Sequence, residues 1–147
     1  MISVFAIVSV FFIVGSFAQI PDTTVFKTMK SKDTIQVSKD WVPQNIEECF
    51  KRLDEILPDS VKINMKTIPE SKMVIYHRGL GTHLRNTWAL WRGGKLAKYF
   101  NKMEIFHPDD MSGIILTSYW RKLNGRPIDI KNQVKYYKAY WERQENK

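Results

Sequence analysis

"HPDDMSGIILTSYWRKLNGRP", residues 107 to 127, decides the fold, because both ends of a helix are written into it. Pro108 suits the first helical position, where a missing N–H would have no partner anyway. Asp109 and Asp110 follow it, where the positive end of the helix dipole favours carboxylates. Met111, Ile115, Leu116, Tyr119, Trp120 and Leu123 then make a broad apolar face at helical spacing. Asn124-Gly125 supplies a left-handed stop, and Pro127 lies just beyond it. A face this wide must be covered, so the flanking segments should be able to cover it.

Upstream, "WALWRGGKLAKYF" (residues 88 to 100) holds two tryptophans, a glycine pair and a lysine-rich run. Met73, His77, Leu80, Leu84, Trp88 and Trp91 share one stripe, which predicts a long helix containing Gly79 and Gly81. Each glycine costs roughly 1 kcal/mol against alanine in a helix interior. Either the helix breaks there, or a neighbour packs against its bare backbone. Gly93-Gly94 then turns the chain. Lys95 to Met103 reads as a short helix, with Leu96, Tyr99, Phe100 and Met103 inward and Lys95, Lys98 and Lys102 outward. Trp88 and Trp91 are therefore read as a core corner.

Farther upstream, Asn45 and Glu48 form a capping-box pattern. Ile46, Cys49, Phe50, Leu53, Ile56 and Leu57 follow on one helical face, and Pro58 stops the run. Val61 to Ile68 is a weaker helical stretch, and Pro69 suits the start of another. Downstream, a last helix from about Asp129 to Arg143 is expected to bury Ile130, Val134, Tyr137 and Trp141. No strand pattern interrupts these segments. The class is all-α: a small single-domain bundle of five or six helices, with residues 45–128 as the domain and 129–147 as a C-terminal amphipathic helix and tail.

The N-terminus has a separate logic. "MISVFAIVSVFFIVGSFAQ" carries no charged side chain, and its apolar run from Val4 to Val14 leads into Gly15 and the small residues Ser16 and Ala18. That spacing reads as a signal peptide over residues 1–18 with cleavage near Ala18, although the usual early Lys or Arg is missing. The alternative is an N-terminal membrane anchor, since Met1 to Ile20 is long enough to span a bilayer. Residues 19–44, polar and lysine-rich, read as a flexible linker.

Of the 147 residues, 23 are Lys or Arg and 15 are Asp or Glu, giving a formal net charge of +8. Polyanions are the natural partners of such a chain. Arg92, Lys95, Lys98 and Lys102 recur along one short segment, and Lys131, Lys135 and Lys138 alternate with Tyr136 and Tyr140 on the last helix. Basic side chains interleaved with aromatics suit an anionic polysaccharide, lipid headgroups or an envelope protein. An exported protein does not meet nucleic acid, so that partner is not expected.

Chemistry leaves few marks. One cysteine excludes an internal disulfide and a thiolate zinc site, and Cys49 reads as a small core residue. His77 and His83 are six apart, which is not the spacing of a helical metal pair, so no metal and no cofactor is expected. Asp109 and Asp110 are explained by the helix start, and adjacent helical side chains diverge by about 100°. No P-loop, G-x-G-x-x-G or G-x-S-x-G pattern is present. No catalytic residue is assigned.

A compound pattern runs from His77 to Ile128. It comprises His77, Gly79-Leu80-Gly81, Arg85-Asn86, Trp88, Trp91, Gly94, Lys98-Tyr99-Phe100, His107 to Ser112, Tyr119, Arg121 and Leu123-Asn124-Gly125. Together with the upstream "IEECFKRLDEILP", it resembles a bacterial domain-of-unknown-function family, DUF 6794-like, over roughly residues 45 to 128. The resemblance implies a small helical domain and brings no established activity, so no catalytic role is carried over. The sequence thus points to a non-enzymatic exported, secreted or periplasmic interaction module. Its candidate ligand-binding residues are Arg85, Asn86, Trp88, Trp91, Arg92, His107, Asp110 and Arg121. The alternative is a small hydrolase-like enzyme using His107, Asp110, His77 and Arg85.

Overall fold

The computed structural model describes residues 41–145. The leader expected at 1–18 and the linker up to residue 40 lie outside the described residues. The described residues form six α-helices: α1 (Ile46–Ile56), α2 (Asp59–Thr67), α3 (Thr82–Thr87), α4 (Lys95–Asn101), α5 (Pro108–Leu123) and α6 (Ile130–Glu145). A 3-10 segment (Glu70–Tyr76) and a π turn (His77–Gly81) join α2 to α3, and no strand occurs among the described residues. The chain is all-α, as the periodicity predicts.

Everything else packs on α5. From Asp110 to Trp120 every residue of this helix is buried except Thr117, and each other element touches it. Its polar side chains meet partners at depth: the Tyr119 hydroxyl donates to Asp54 Oδ1 at 2.9 Å, and the Trp120 indole donates to the Ile68 carbonyl at 2.9 Å. Such pairing is required, because an unpartnered buried donor costs about 1–3 kcal/mol.

The first helix starts as its caps dictate. Asn45 Oδ1 accepts from the Glu48 N–H at 2.9 Å, while Glu48 Oε2 reaches back to the Gln44 N–H. Ile46, Cys49, Leu53 and Leu57 are buried on its inner face. Ordering continues upstream, where Pro43 is buried and the Trp41 indole donates to Glu55 Oε2. Burial pushes the Cys49 thiol well above its ordinary pKa, so it is protonated at neutral pH. A thiol reagent should leave native protein unmodified and label Cys49 only in denaturant.

The long helix expected around Gly79 and Gly81 is replaced by three shorter pieces. The chain tightens to 3-10 geometry, widens through the π turn, and regains α geometry at Thr82. At Gly81 a β-carbon would lie 3.1 Å from Arg85 Nη1 and 3.6 Å from Ser112 Oγ. The backbone thus bends where a neighbour also presses close.

The tryptophan corner divides. The helix stops at Thr87, and Ala89 adopts φ +55°, which rotates the chain out of helical register. Trp88 stays in the core at 3 % exposure and Leu90 takes the next buried position. Trp91 is 55 % exposed, so the three-residue spacing did not put both rings inside. Gly93, at φ +66°, completes the turn. On α6 a similar correction applies: Trp141 is 41 % exposed, and the buried residue is Gln133, whose amide donates to Ser118 Oγ and the Ile128 carbonyl.

Candidate functional site

The N-terminus of α5 gathers the ionisable groups. Asp109 Oδ1 accepts from His77 Nε2 and pairs with Arg85 Nη1, each at 3.1 Å. Arg85 is buried, and its guanidinium also donates to Ser112 Oγ at 2.8 Å and Thr82 Oγ1 at 2.9 Å. Its Nε is buried without a partner among the described residues. His107 caps the helix, its Nδ1 accepting from the Asp109 N–H at 3.3 Å. The same nitrogen lies 3.3 Å from Asp109 Oδ2, and one nitrogen cannot accept from an amide and donate to a carboxylate together. In the capped state its proton therefore belongs on Nε2.

Asp110 points differently, as adjacent helical positions must. Its Oδ2 accepts from the Trp141 indole at 2.7 Å, tying α6 to α5. Burial holds its carboxyl above the ordinary carboxylate range, with the indole hydrogen bond and His107 partly opposing. A raised carboxyl pKa stabilises the fold below the unfolded value and loses that contribution as pH rises through the folded one. Asp110→Asn keeps an acceptor for Trp141 and removes the buried charge. Its melting temperature at neutral pH should equal or exceed that of the parent. The gap should close on acidification, as thermal circular dichroism at the two pH values would show.

A groove of about 800 Å³ runs along α5 from this cluster. From Asp109 to Arg121 the helix rise makes it about 18 Å long. Val74 and His77 stand on one side and Tyr136, Tyr140 and Trp141 on the other, over a floor that includes Gly113 and Leu116. Trp91 and Trp141 flank the His107 ring, with centroids 6.1 and 5.6 Å away. At the far end Arg121 Nε donates to Glu70 Oε1 at 2.7 Å, and its Nη1 donates to the Ile128 carbonyl.

The eight residues singled out in the sequence are not one constellation. His107, Asp110 and Arg121 line the groove, and Trp91 leans on His107 at its mouth. Arg85 is buried behind Asp109, Trp88 is enclosed in the core, and Asn86 and Arg92 are exposed without lining the groove. Sequence reasoning missed Asp109 as the hub, since its position at a helix start already explained it. Tyr136 and Tyr140 were visible only as aromatics among lysines. Among the described residues, no group of three His, Cys, Asp or Glu is placed to hold a metal ion.

Fold and groove together define a small all-α domain with an open surface cleft rather than an enclosed cavity. Residues 42–123 match the family model described as Domain of unknown function (DUF6794), and the chain belongs to that family. No curated protein and no solved structure gives a match. Among the described residues, no helix is long and apolar enough to cross a membrane.

Proposed function

We propose that the protein is an exported, non-enzymatic binding module that takes its ligand along the α5 groove. Release after cleavage near Ala18 would place it in the periplasm or outside the cell. One observation carries the binding reading: the ionisable groups of the groove are tied to one another, while its aromatic side is open. Asp109 is held by Arg85 and His77, Glu70 by Arg121, and Asp110 by Trp141. Fixed polar groups beside exposed aromatic rings suit recognition.

The cations of the α4 region have a separate role in this reading. Arg92, Lys95, Lys98 and Lys102 are all exposed. They would draw the domain to an anionic polysaccharide, headgroup surface or envelope protein, an effect that salt screens. Reversing Lys95 and Lys98 to Glu should shorten retention on heparin at low salt. Substitution of Tyr140 should leave retention unchanged. Absence of retention of the parent protein even at low salt would remove this part of the reading.

A hydrolase-like reading draws on one observation, the arrangement of His77, His107 and Asp110 around a single groove. Asp110, its carboxyl raised by burial, would be the proton donor, with Arg85 behind Asp109. An Asp110→Asn variant that retains every phenotype of the parent would dispose of it.

A further inference from the structure

The geometry points to an uncharged linear glycan as the ligand of the α5 groove, an inference that rests on the binding reading above. Charge narrows the choice from both directions. Glu70, Asp109 and Asp110 line the groove, whereas among the described residues Arg121 is its only lining arginine or lysine and is already paired with Glu70. A polyanion entering it would meet carboxylates. A polycation would approach a chain carrying a net charge of +8. A polyhydroxyl chain meets neither barrier.

The hydrogen-bonding groups have the right form for hydroxyl donors. Glu70 spends Oε1 on Arg121, and Asp110 spends Oδ2 on Trp141. The second oxygen of each accepts no hydrogen bond from the described residues. Each carboxylate is therefore fixed in place by one oxygen and keeps a second, unpaired acceptor at the groove lining, which is what a sugar hydroxyl needs.

The aromatic side supplies the rest. Tyr136 and Tyr140 are 63 % and 41 % exposed, and Trp141 is exposed beside them. One helical turn, about 6 Å, separates the two tyrosines, comparable to the advance of one ring along a linear glycan. Flat C–H faces of sugar rings stack on such side chains, while the Trp141 indole N–H stays on Asp110 and fixes that ring in place. Asp110 and Glu70 stand at opposite ends of the groove, so an occupant must be extended.

The test titrates the full-length protein with neutral hexasaccharides (cellohexaose, N-acetylglucosamine hexamer, maltohexaose), following tryptophan fluorescence. Heparin hexasaccharide and hexalysine serve as charged probes. At least one neutral hexamer should shift the emission saturably, and Tyr136→Ala and Tyr140→Ala should each weaken it about tenfold. Tyr136 is mostly exposed, so that variant should fold, which circular dichroism verifies. Asp110→Asn should weaken binding with its fold intact. Binding of only a charged probe, still sensitive to Tyr140→Ala, overturns the glycan inference and leaves the groove as a binding site. Failure of every probe to respond to the tyrosine substitutions overturns both.

Discussion

Replacing Arg85 with methionine is expected to lower the stability of the domain by about 2 kcal/mol, through the polar contacts it makes to the start of α5. The guanidinium holds Asp109, Ser112 and Thr82 together from a buried position. Methionine fills similar volume, so the loss measures the polar contacts. Breaking a fully buried pair costs about 3–5 kcal/mol, but Asp109 keeps a third of its side chain exposed and retains His77. The Arg85 Nε, buried and unpartnered among the described residues, already costs the native state, and methionine removes that penalty too. Adding Asp109→Asn to Arg85→Met should restore more than half the loss, because no charge is left unpaired. Arg85→Lys should recover little, since an ammonium cannot reach three partners as a planar fork does. Urea denaturation of the four proteins decides this. A methionine variant within 0.5 kcal/mol of the parent would show that the hub is dispensable, that being the usual spread of neutral surface changes.

Gly113→Ala should destabilise the domain by about 1–2 kcal/mol and dislodge α6. A β-carbon at this position would stand 2.1 Å from the Tyr137 hydroxyl oxygen and 3.1 Å from its ring. Alanine favours a helix over glycine by about 1 kcal/mol, so on propensity alone the change should stabilise. Overpacking at about 1–3 kcal/mol outweighs it, because the partly buried Tyr137 ring packs against the core and must give up that contact to move away. That burial, with Asp110 nearby, pushes the Tyr137 phenol up to about 12. For a domain of this size a melting temperature lower by roughly 5–10 °C would follow. Adding Tyr137→Phe removes the oxygen at the 2.1 Å contact and should restore part of the loss. A more stable alanine variant would mean that α6 is not seated on Gly113.

These residues also mark how far the sequence could be read. Asn45 with Glu48, Pro58, and Pro108 through Gly125 fixed helix ends because capping and chain reversal are local events. The lone thiol and the apolar face of α5 were likewise readable, since periodicity alone assigns a buried stripe. The hydrogen-bond hub around Asp109 was not, because it joins residues 24 and 32 positions away in sequence, Arg85 and His77. Nor was the seat of Tyr137 on a bare helical glycine.

What the sequence determined by itself was the all-α class, most helix boundaries and the family to which the chain belongs. Those follow from backbone hydrogen bonding within a few residues and from the spacing of apolar side chains. Tertiary structure alone decided that Trp88 is enclosed while Trp91 is open, since a left-handed Ala89 breaks their shared register. It also decided that Asp109, rather than Asp110, binds the arginine, and that α6 leaves its aromatics along a groove. Each of these depends on where distant helices cross, which local spacing does not encode.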